Sequence, residues 1–270
     1  MKEVTLNNGV KMPILGLGIY RLQGRKGCEA IKQAINLGYT LFDTAQMYNN
    51  EHILADAVKS AEDDSSIKRE DLFITTKLFS PSKSYKLAKD GIKESLKNLN
   101  TDYIDLMLIH EPYKEAVEMY RALEEAYDEG SVRSIGISNF NADEYLSFID
   151  KCDIIPVVNQ VEAHVFHQQR ELQEVMEEHG TVMNAWSPFA AGKEDIFKNE
   201  ILLSIGAKYG KTPAQINLRY FVERGIVVIP KSSNKDRQRE NIDIFDFKLS
   251  REDIERIEKL DTKKSLFGWY

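Results

Sequence analysis

The chain has few cysteines and no excess of positive charge. Only Cys28 and Cys152 occur among 270 residues, far apart and outside any paired motif, which argues against a disulfide framework or a cysteine-based zinc site. A net charge of −7 without a basic stripe argues against nucleic acid as a partner. These features favour a reducing compartment, and we expect a cytoplasmic protein.

Long apolar runs and targeting signals are also lacking. No stretch approaches the roughly 20 apolar residues that cross a bilayer, so we expect no membrane contact. The opening MKEVTLNNG has no apolar segment typical of a signal peptide, and none is expected. His164 and His167 lie three residues apart with no third ligand nearby, so no metal site is predicted.

What the sequence does contain is a regular alternation of short apolar runs and helical patterns. Eight runs are predicted to be strands, at residues 14–18, 40–43, 72–77, 103–109, 132–138, 154–160, 181–186 and 226–231. They are almost continuously apolar, which is typical of parallel strands covered by helices. Eight such units in about 250 residues favour a closed (β/α)8 barrel over an open doubly wound sheet. Without an interior linker, residues 1–270 are expected to form one domain.

Turn and cap residues add local predictions. Asn8 and Gly9, between VTL and VKM, predict a β-hairpin with a type I′ turn before the barrel. Helices are expected to begin at Thr212, which is followed by proline, and at Ser250. The polar residues 61–70 are predicted to form a surface loop.

Four polar residues are associated with three consecutive predicted strands. Asp43, Lys77 and His110 each end or directly follow an apolar run, and Tyr48 lies in the loop after the first. Because barrel active sites form at the carboxyl ends of the strands, all four are expected at one rim. A lysine ammonium beside a tyrosine lowers the tyrosine pKa and makes it a better acid near neutral pH.

These four side chains predict carbonyl chemistry. Asp43 would pair with Lys77, and His110, expected to be neutral, would hydrogen-bond a carbonyl oxygen as negative charge develops on it. Tyr48 would then protonate that oxygen while another group delivers hydride. A Schiff-base lyase with Lys77 as nucleophile stays open as an alternative.

With these residues in place, the chain resembles the aldo-keto reductases over essentially its whole length, as a short-loop member of the bacterial type. The resemblance is carried by the hairpin, the four residues above, SNF at 138–140, NQ at 159–160, WSP at 186–188, and IPKS at 229–232 with Arg237, Glu240 and Asn241 after it. It implies a (β/α)8 barrel without a Rossmann fingerprint, NADPH as cofactor, and reduction of aldehydes and ketones to alcohols. It also implies a monomer.

The resemblance assigns further roles to individual residues. The nicotinamide end of the cofactor would be held by Gly18, Ser138, Asn139, Gln160, Trp186 and Ser187, with Trp186 stacked on the ring. The 2′-phosphate would be held by Lys231, Ser232 and Arg237, and the adenine by Glu240 and Asn241. Cations with a hydroxyl form charge-assisted bonds to a dianion, so NADPH is expected to be preferred over NADH.

The sequence also departs from the family pattern in the substrate pocket. Tyr20 and Phe79 stand where tryptophan is common. Glu111 follows the histidine, where it would either favour imidazolium at His110 and repel anionic substrates, or point to solvent at the rim. The short connection at 111–114 and the short tail predict an open, permissive pocket.

The end of the chain and the substrate leave alternatives open. Trp269 and Tyr270 would either fold over the site or hang free. Candidate substrates are small reactive aldehydes such as methylglyoxal, sugar-derived ketones and 2,5-diketo acids. A non-catalytic NADP(H)-binding barrel that regulates a partner is a further alternative.

Overall fold

The computed structural model describes residues 2–64 and 67–268, so Trp269 and Tyr270 lie outside the described residues. An antiparallel hairpin comes first (β1, Glu3–Thr5; β2, Lys11–Pro13), as predicted. The predicted turn type is wrong, because of the two turn residues only Gly9 has a positive φ (+84°). The amide of Gly9 donates to the carbonyl of Leu6 over 2.9 Å, which gives a turn followed by a left-handed glycine.

Eight parallel strands follow and form a (β/α)8 barrel, which confirms the predicted fold class. They are β3 (Leu17–Gly18), β4 (Leu41–Asp43), β5 (Phe73–Leu78), β6 (Leu106–Ile109), β7 (Ile135–Ser138), β8 (Val158–Glu162), β9 (Val182–Trp186) and β10 (Val227–Val228). They are hydrogen-bonded in chain order. The amide of Gly16 donates to the carbonyl of Val228 and the amide of Val228 to that of Ile14, so the first and last strands also meet.

Helices cover the outside of the barrel. They are α1 (Gly24–Asn36), α2 (Glu51–Asp63), α3 (Tyr85–Leu99), α4 (Ala116–Asp128), α5 (Ala142–Ile149), α6 (Arg170–Glu178), α7 (Glu200–Tyr209), α8 (Pro213–Glu223), α9 (Lys235–Ile242) and α10 (Arg251–Glu258). Thr212 and Ser250 cap α8 and α10 as predicted, each in a reciprocal capping box. Among the described residues, no helix is long and apolar enough to cross a bilayer.

Several predicted boundaries are wrong, among them the start of the loop after α2 and the start of β8. Helix α2 continues to Asp63, so the first residues of the predicted loop at 61–70 are helical, while Ser65 and Ser66 lie outside the described residues. Strand β8 begins at Val158 instead of residue 154. Pro156 has no amide hydrogen to donate to a ladder, and its carbonyl accepts from the Thr181 hydroxyl over 2.6 Å, so pairing starts after it.

The barrel interior is closed at its amino-terminal end by apolar side chains. Many of these are the first residues of their strands, namely Leu41, Phe73, Leu106, Val158 and Val227. Leu6 and Met12 of the hairpin belong to the same buried cluster. The hairpin therefore covers this end of the barrel, and the carboxyl ends of the strands are left to form a site.

Candidate active site

A buried ion pair lies at the carboxyl end of the barrel. Lys77 of β5 is fully buried, and its Nζ donates to Asp43 Oδ1 over 2.6 Å and to the carbonyl of Thr44 over 2.9 Å. Burial alone would lower the pKa of Lys77, but the charges and hydrogen bonds of Asp43 and Tyr48 together outweigh burial and raise the pKa above its ordinary value. The structure thus places a permanent ammonium at the rim.

Tyr48 lies beside this ammonium, at the end of a 3-10 turn (Gln46–Tyr48). Lys77 Nζ is 5.1 Å from the centroid of the Tyr48 ring. Burial raises the pKa of Tyr48, while the charge and hydrogen bond of Lys77 lower it. Since the effect of burial is larger, the pKa lies above its ordinary value, and the predicted net lowering is wrong. Tyr48 therefore holds its proton at neutral pH.

His110 completes the group of four on the far side of Tyr48. Its ring meets the Tyr48 ring edge-on, with centroids 5.8 Å apart. Burial, with a smaller contribution from the Lys77 charge, lowers the pKa of His110 to about 3, so the imidazole is neutral as predicted. Within the described part of the chain, its buried Nδ1 has no hydrogen-bond partner.

Glu111 does not act on His110 in the way that one prediction proposed. The pKa of His110 is lowered, so imidazolium is disfavoured there. The carboxylate of Glu111 instead lies near the hydroxyl of Tyr113, and burial together with the charge of Glu111 raises the pKa of Tyr113 to about 12. The Glu111 side chain thus belongs to the rim.

A hydrogen-bond network joins the next three strands to these groups. Gln160 of β8 donates through Nε2 to Asp43 Oδ2 over 2.7 Å, and the Ser138 hydroxyl donates to the Gln160 carbonyl over 2.8 Å. Asn139, which has a φ of +67°, donates through Nδ2 to the carbonyl of His110 over 3.0 Å. The indole Nε1 of Trp186 donates to Asn139 Oδ1 over 2.7 Å.

The network shows a link that the sequence prediction missed. Trp186 and Asn139 were each predicted to touch the cofactor, but not each other. The available signal was the residue type, because an indole donates through its N–H and needs an acceptor for it. Because the ring of Trp186 is tied to Asn139, the orientation of this aromatic surface is set by the protein itself.

Two cationic residues lie near the start of α9, which follows β10 in the chain. Lys231 and Arg237 are exposed, and neither has an ion-pair partner among residues 2–64 and 67–268. The Ser232 hydroxyl accepts from the amide of Asn234, and Asn234 Oδ1 caps the helix by accepting from the amide of Arg237 over 3.0 Å. A helix N-terminus with two free cations has the donor set that a phosphate dianion requires.

Comparison with known proteins identifies the family. Residues 15–262 match the Aldo/keto reductase family. The chain belongs to this family. It is therefore an oxidoreductase of a family that uses a nicotinamide cofactor and acts on small carbonyl compounds.

Individual relatives align over almost the full length of this aldo/keto reductase. It is 41% identical over 268 residues to the 9,11-endoperoxide prostaglandin H2 reductase of Trypanosoma cruzi, covering 98% of this chain and 93% of that protein. It is 40% identical over 260 residues to the glyoxal reductase of Bacillus subtilis, covering 96% and 92%. A solved aldo-keto reductase of Bombyx mori in complex with NADP superposes with a TM-score of 0.91 at 32% identity, covering 98% and 94%.

The remaining predicted cofactor residues of this aldo/keto reductase have visible structural roles. A Cβ at Gly18 would lie 2.9 Å from the carbonyl oxygen of Ile229, so glycine permits the close approach of β3 to the last strand. Ser187 has a φ of +47° directly after β9. Glu240 accepts from the Thr212 hydroxyl over 2.5 Å, which joins α9 to the start of α8, and Asn241 is buried.

The three predicted pocket residues lie around the mouth of the barrel. Tyr20 is 47% exposed, and its ring centroid is 4.9 Å from that of Tyr48. Phe79 directly follows β5 and is half-buried, as is Glu111 after β6. The structure therefore brings Tyr20 into direct contact with the group of four, while Glu111 faces Tyr113.

Proposed function

We propose that this aldo/keto reductase reduces aldehydes and ketones to alcohols with NADPH, with Tyr48 as the proton donor. The observation that carries the proposal is the buried Asp43–Lys77 pair beside Tyr48, with neutral His110 opposite. A carbonyl oxygen placed between Tyr48 and His110 would meet two hydrogen-bond donors.

Each of the four side chains then has a part in the proton transfer. Because burial keeps Tyr48 protonated, the acid is available at neutral pH. The ammonium of Lys77 stabilises the tyrosinate left behind, and Asp43 holds that ammonium in place. A neutral His110 donates to the developing alkoxide without adding a positive charge. Bound at this rim, reduced nicotinamide supplies hydride to the carbonyl carbon.

The residues along the rim suit NADPH in two separate places. Ser138, Asn139 and Gln160 present buried amide and hydroxyl groups beside the indole of Trp186, which suits a carboxamide-bearing aromatic ring. Lys231 and Arg237 at the start of α9 suit the 2′-phosphate, which supports NADPH over NADH. The relative solved with NADP supports the same cofactor.

Small neutral aldehydes are the proposed substrate class. The relative named glyoxal reductase supports 2-oxoaldehydes of this kind. The carboxylate of Glu111 at the rim disfavours anionic substrates such as diketo acids. The raised pKa of Lys77 keeps its amine protonated, which counts against the Schiff-base alternative, because that nucleophile must be neutral. A monomeric state, a cytoplasmic location and one domain over residues 1–270 stay predictions from the sequence.

Replacing the proposed proton donor tests this function. We expect Tyr48→Phe to lower kcat for methylglyoxal by about 10²- to 10⁴-fold, the range for a general acid, because the phenol proton is lost. NADPH affinity, measured by fluorescence titration, should be unchanged. Tyr20→Phe is the matched control, since it removes a neighbouring hydroxyl that is not assigned to proton transfer. Near-normal turnover by Tyr48→Phe would contradict the mechanism.

A further inference from the structure

Strand β8 ends in a buried carboxylate that the proposed chemistry does not use. Glu162 follows Gln160 by two residues, so both side chains lie on the same face of the strand. The residue has no exposed surface. Its Oε1 accepts from His164 Nε2 over 2.9 Å and from the amide of Leu266 over 2.8 Å, and its Oε2 accepts from the Ser265 hydroxyl over 2.6 Å.

Two of these three partners belong to the end of the chain, which we call the tail segment (residues 265–268). The Ser265 hydroxyl also accepts from the amides of Phe267 and Gly268 over 3.1 and 2.9 Å. One carboxylate and one hydroxyl therefore bind the amides of residues 266–268. Because Glu162 is the last residue of β8, these bonds hold the tail segment at the carboxyl rim of the barrel.

The fixed tail segment brings an aromatic ring to the proposed nicotinamide site. The ring of Phe267 lies with its centroid 5.2 Å from that of Trp186, at an interplanar angle of 62°. Lys193 Nζ lies 4.2 Å from the Phe267 centroid and donates to the carbonyl of Leu266. Phe267 is half-buried, so part of its ring is still accessible at the rim.

The carboxylate is in the charged form that makes these bonds strong. Burial alone would raise the pKa of Glu162, but the hydrogen bonds from His164, Ser265 and the amide of Leu266 outweigh it and hold the pKa below its ordinary value. Hydrogen bonds to an ionised acceptor are shorter and stronger than neutral ones. A carboxylate that stayed buried without these donors would be strongly unfavourable, so the bonds to Glu162 oppose release of the tail segment.

We propose that Glu162 is a positioning residue that holds the tail segment over the rim, so that Phe267 forms an apolar wall beside Trp186 and favours aldehydes with an aromatic substituent. The specificity part rests on the proposed reductase function. An aromatic substrate ring gains edge-to-face contacts with such a wall, whereas a small aldehyde does not reach it. Glu162 acts through the tail segment and touches neither substrate nor cofactor.

The first test measures the position of the tail segment without any turnover. In a Trp269→Phe background, Trp186 is the only tryptophan, and quenching of its fluorescence by acrylamide reports its exposure. We expect Glu162→Gln, and independently Ser265→Ala, to increase this quenching, because each removes a bond that holds Phe267 in place. The control is Glu124→Gln, the same change at a buried carboxylate that accepts from the amides of Asp153 and Ile154, away from the rim. Unchanged quenching in both rim variants would overturn the proposal.

The second test measures specificity. We expect Glu162→Gln to raise KM for benzaldehyde about tenfold, equivalent to about 1.4 kcal/mol, with kcat and the KM for methylglyoxal within about twofold of wild type. Phe267→Ala should give the same pattern, and the double variant should show no further rise, because both changes remove one wall. Additive effects, or equal losses for both aldehydes, would overturn the specificity role. If the wild type reduces no aldehyde, the reductase proposal fails, while the quenching test still decides whether Glu162 holds the tail segment.

Discussion

Arg237 and Lys231 present their cationic groups to solvent beside the first turn of α9, where no carboxylate of the described residues pairs with them. If they bind the 2′-phosphate, Arg237→Ala should raise KM for NADPH about tenfold, since a charge-assisted contact is lost. The KM for NADH, which has no such phosphate, should stay the same. Initial rates with both cofactors at saturating methylglyoxal measure the ratio.

A neighbouring arginine provides the control for that experiment. Arg239 lies on the same helix, where it faces Asp236 at 3.6 Å. Arg239→Ala removes the same charge from the protein and should leave the ratio of the two KM values unchanged. An equal rise for NADPH in both variants would mean that a general electrostatic attraction, and not a phosphate site, is responsible.

At the same scale, the sequence predicted which side chains meet, but not the net direction of their pKa shifts. The strand-end rule placed Asp43, Lys77 and His110 at one rim, and the structure confirms the Asp43–Lys77 pair. The net pKa shift of Tyr48 depends on how deeply its ring is buried, which no local pattern encodes. Glu162 was missed although it follows Gln160 with the spacing of one strand face, because two of its three partners lie about 100 residues away.

At the scale of elements, the central parts of strands were predictable and several ends were not. Apolar runs located all eight barrel strands, but β8 starts only after Pro156, and β10 is reduced to Val227–Val228. Helix starts were more reliable, since a cap and its partner are three residues apart in the sequence. The type of the hairpin turn was not predicted correctly, because the conformation of Asn8 depends on how the two strands are aligned.

The cap of α8 leads to a prediction about an element and its neighbour. The Thr212 hydroxyl accepts from the amide of Gln215 and donates to Glu240 of α9. Thr212→Ala should lower the free energy of unfolding by about 1 kcal/mol, the usual cost of losing an N-cap. Thr212→Ser keeps the hydroxyl and should retain most of the stability. Urea unfolding and kcat are measured for the wild type and both variants. A loss of the cap should lower the stability of the alanine variant and leave kcat unchanged. Equal stability of the alanine and serine variants would contradict the capping role of the Thr212 hydroxyl.

The whole molecule is a closed barrel whose two ends differ in polarity. This difference explains why the candidate active site lies at the carboxyl ends of the strands. The hairpin places Leu6 and Met12 over the amino-terminal end, where the first residues of the strands form an apolar cluster. At the other end, the strands finish in polar residues that bind one another across the barrel, as Gln160 and Asp43 do over 117 positions of sequence. The repeat pattern predicted the barrel, but contacts of this range follow only from its closure.

Closure also buries His110, which makes the stability of the whole fold depend on pH. The pKa of His110 is about 3 in the folded protein and near 6.5 when unfolded, so between these values only the unfolded chain takes up the proton. The free energy of unfolding should therefore fall as the pH is lowered from 6.5, by about 2 kcal/mol at pH 5 from this group. The lowered pKa of His167 acts in the same direction.

Urea unfolding of the wild type and of His110→Gln between pH 7 and 5 measures the difference in their free energies of unfolding. This difference should shrink toward low pH. His52→Gln, at an exposed position, serves as the control. A constant difference between the wild type and His110→Gln would mean that His110 is not a buried neutral imidazole.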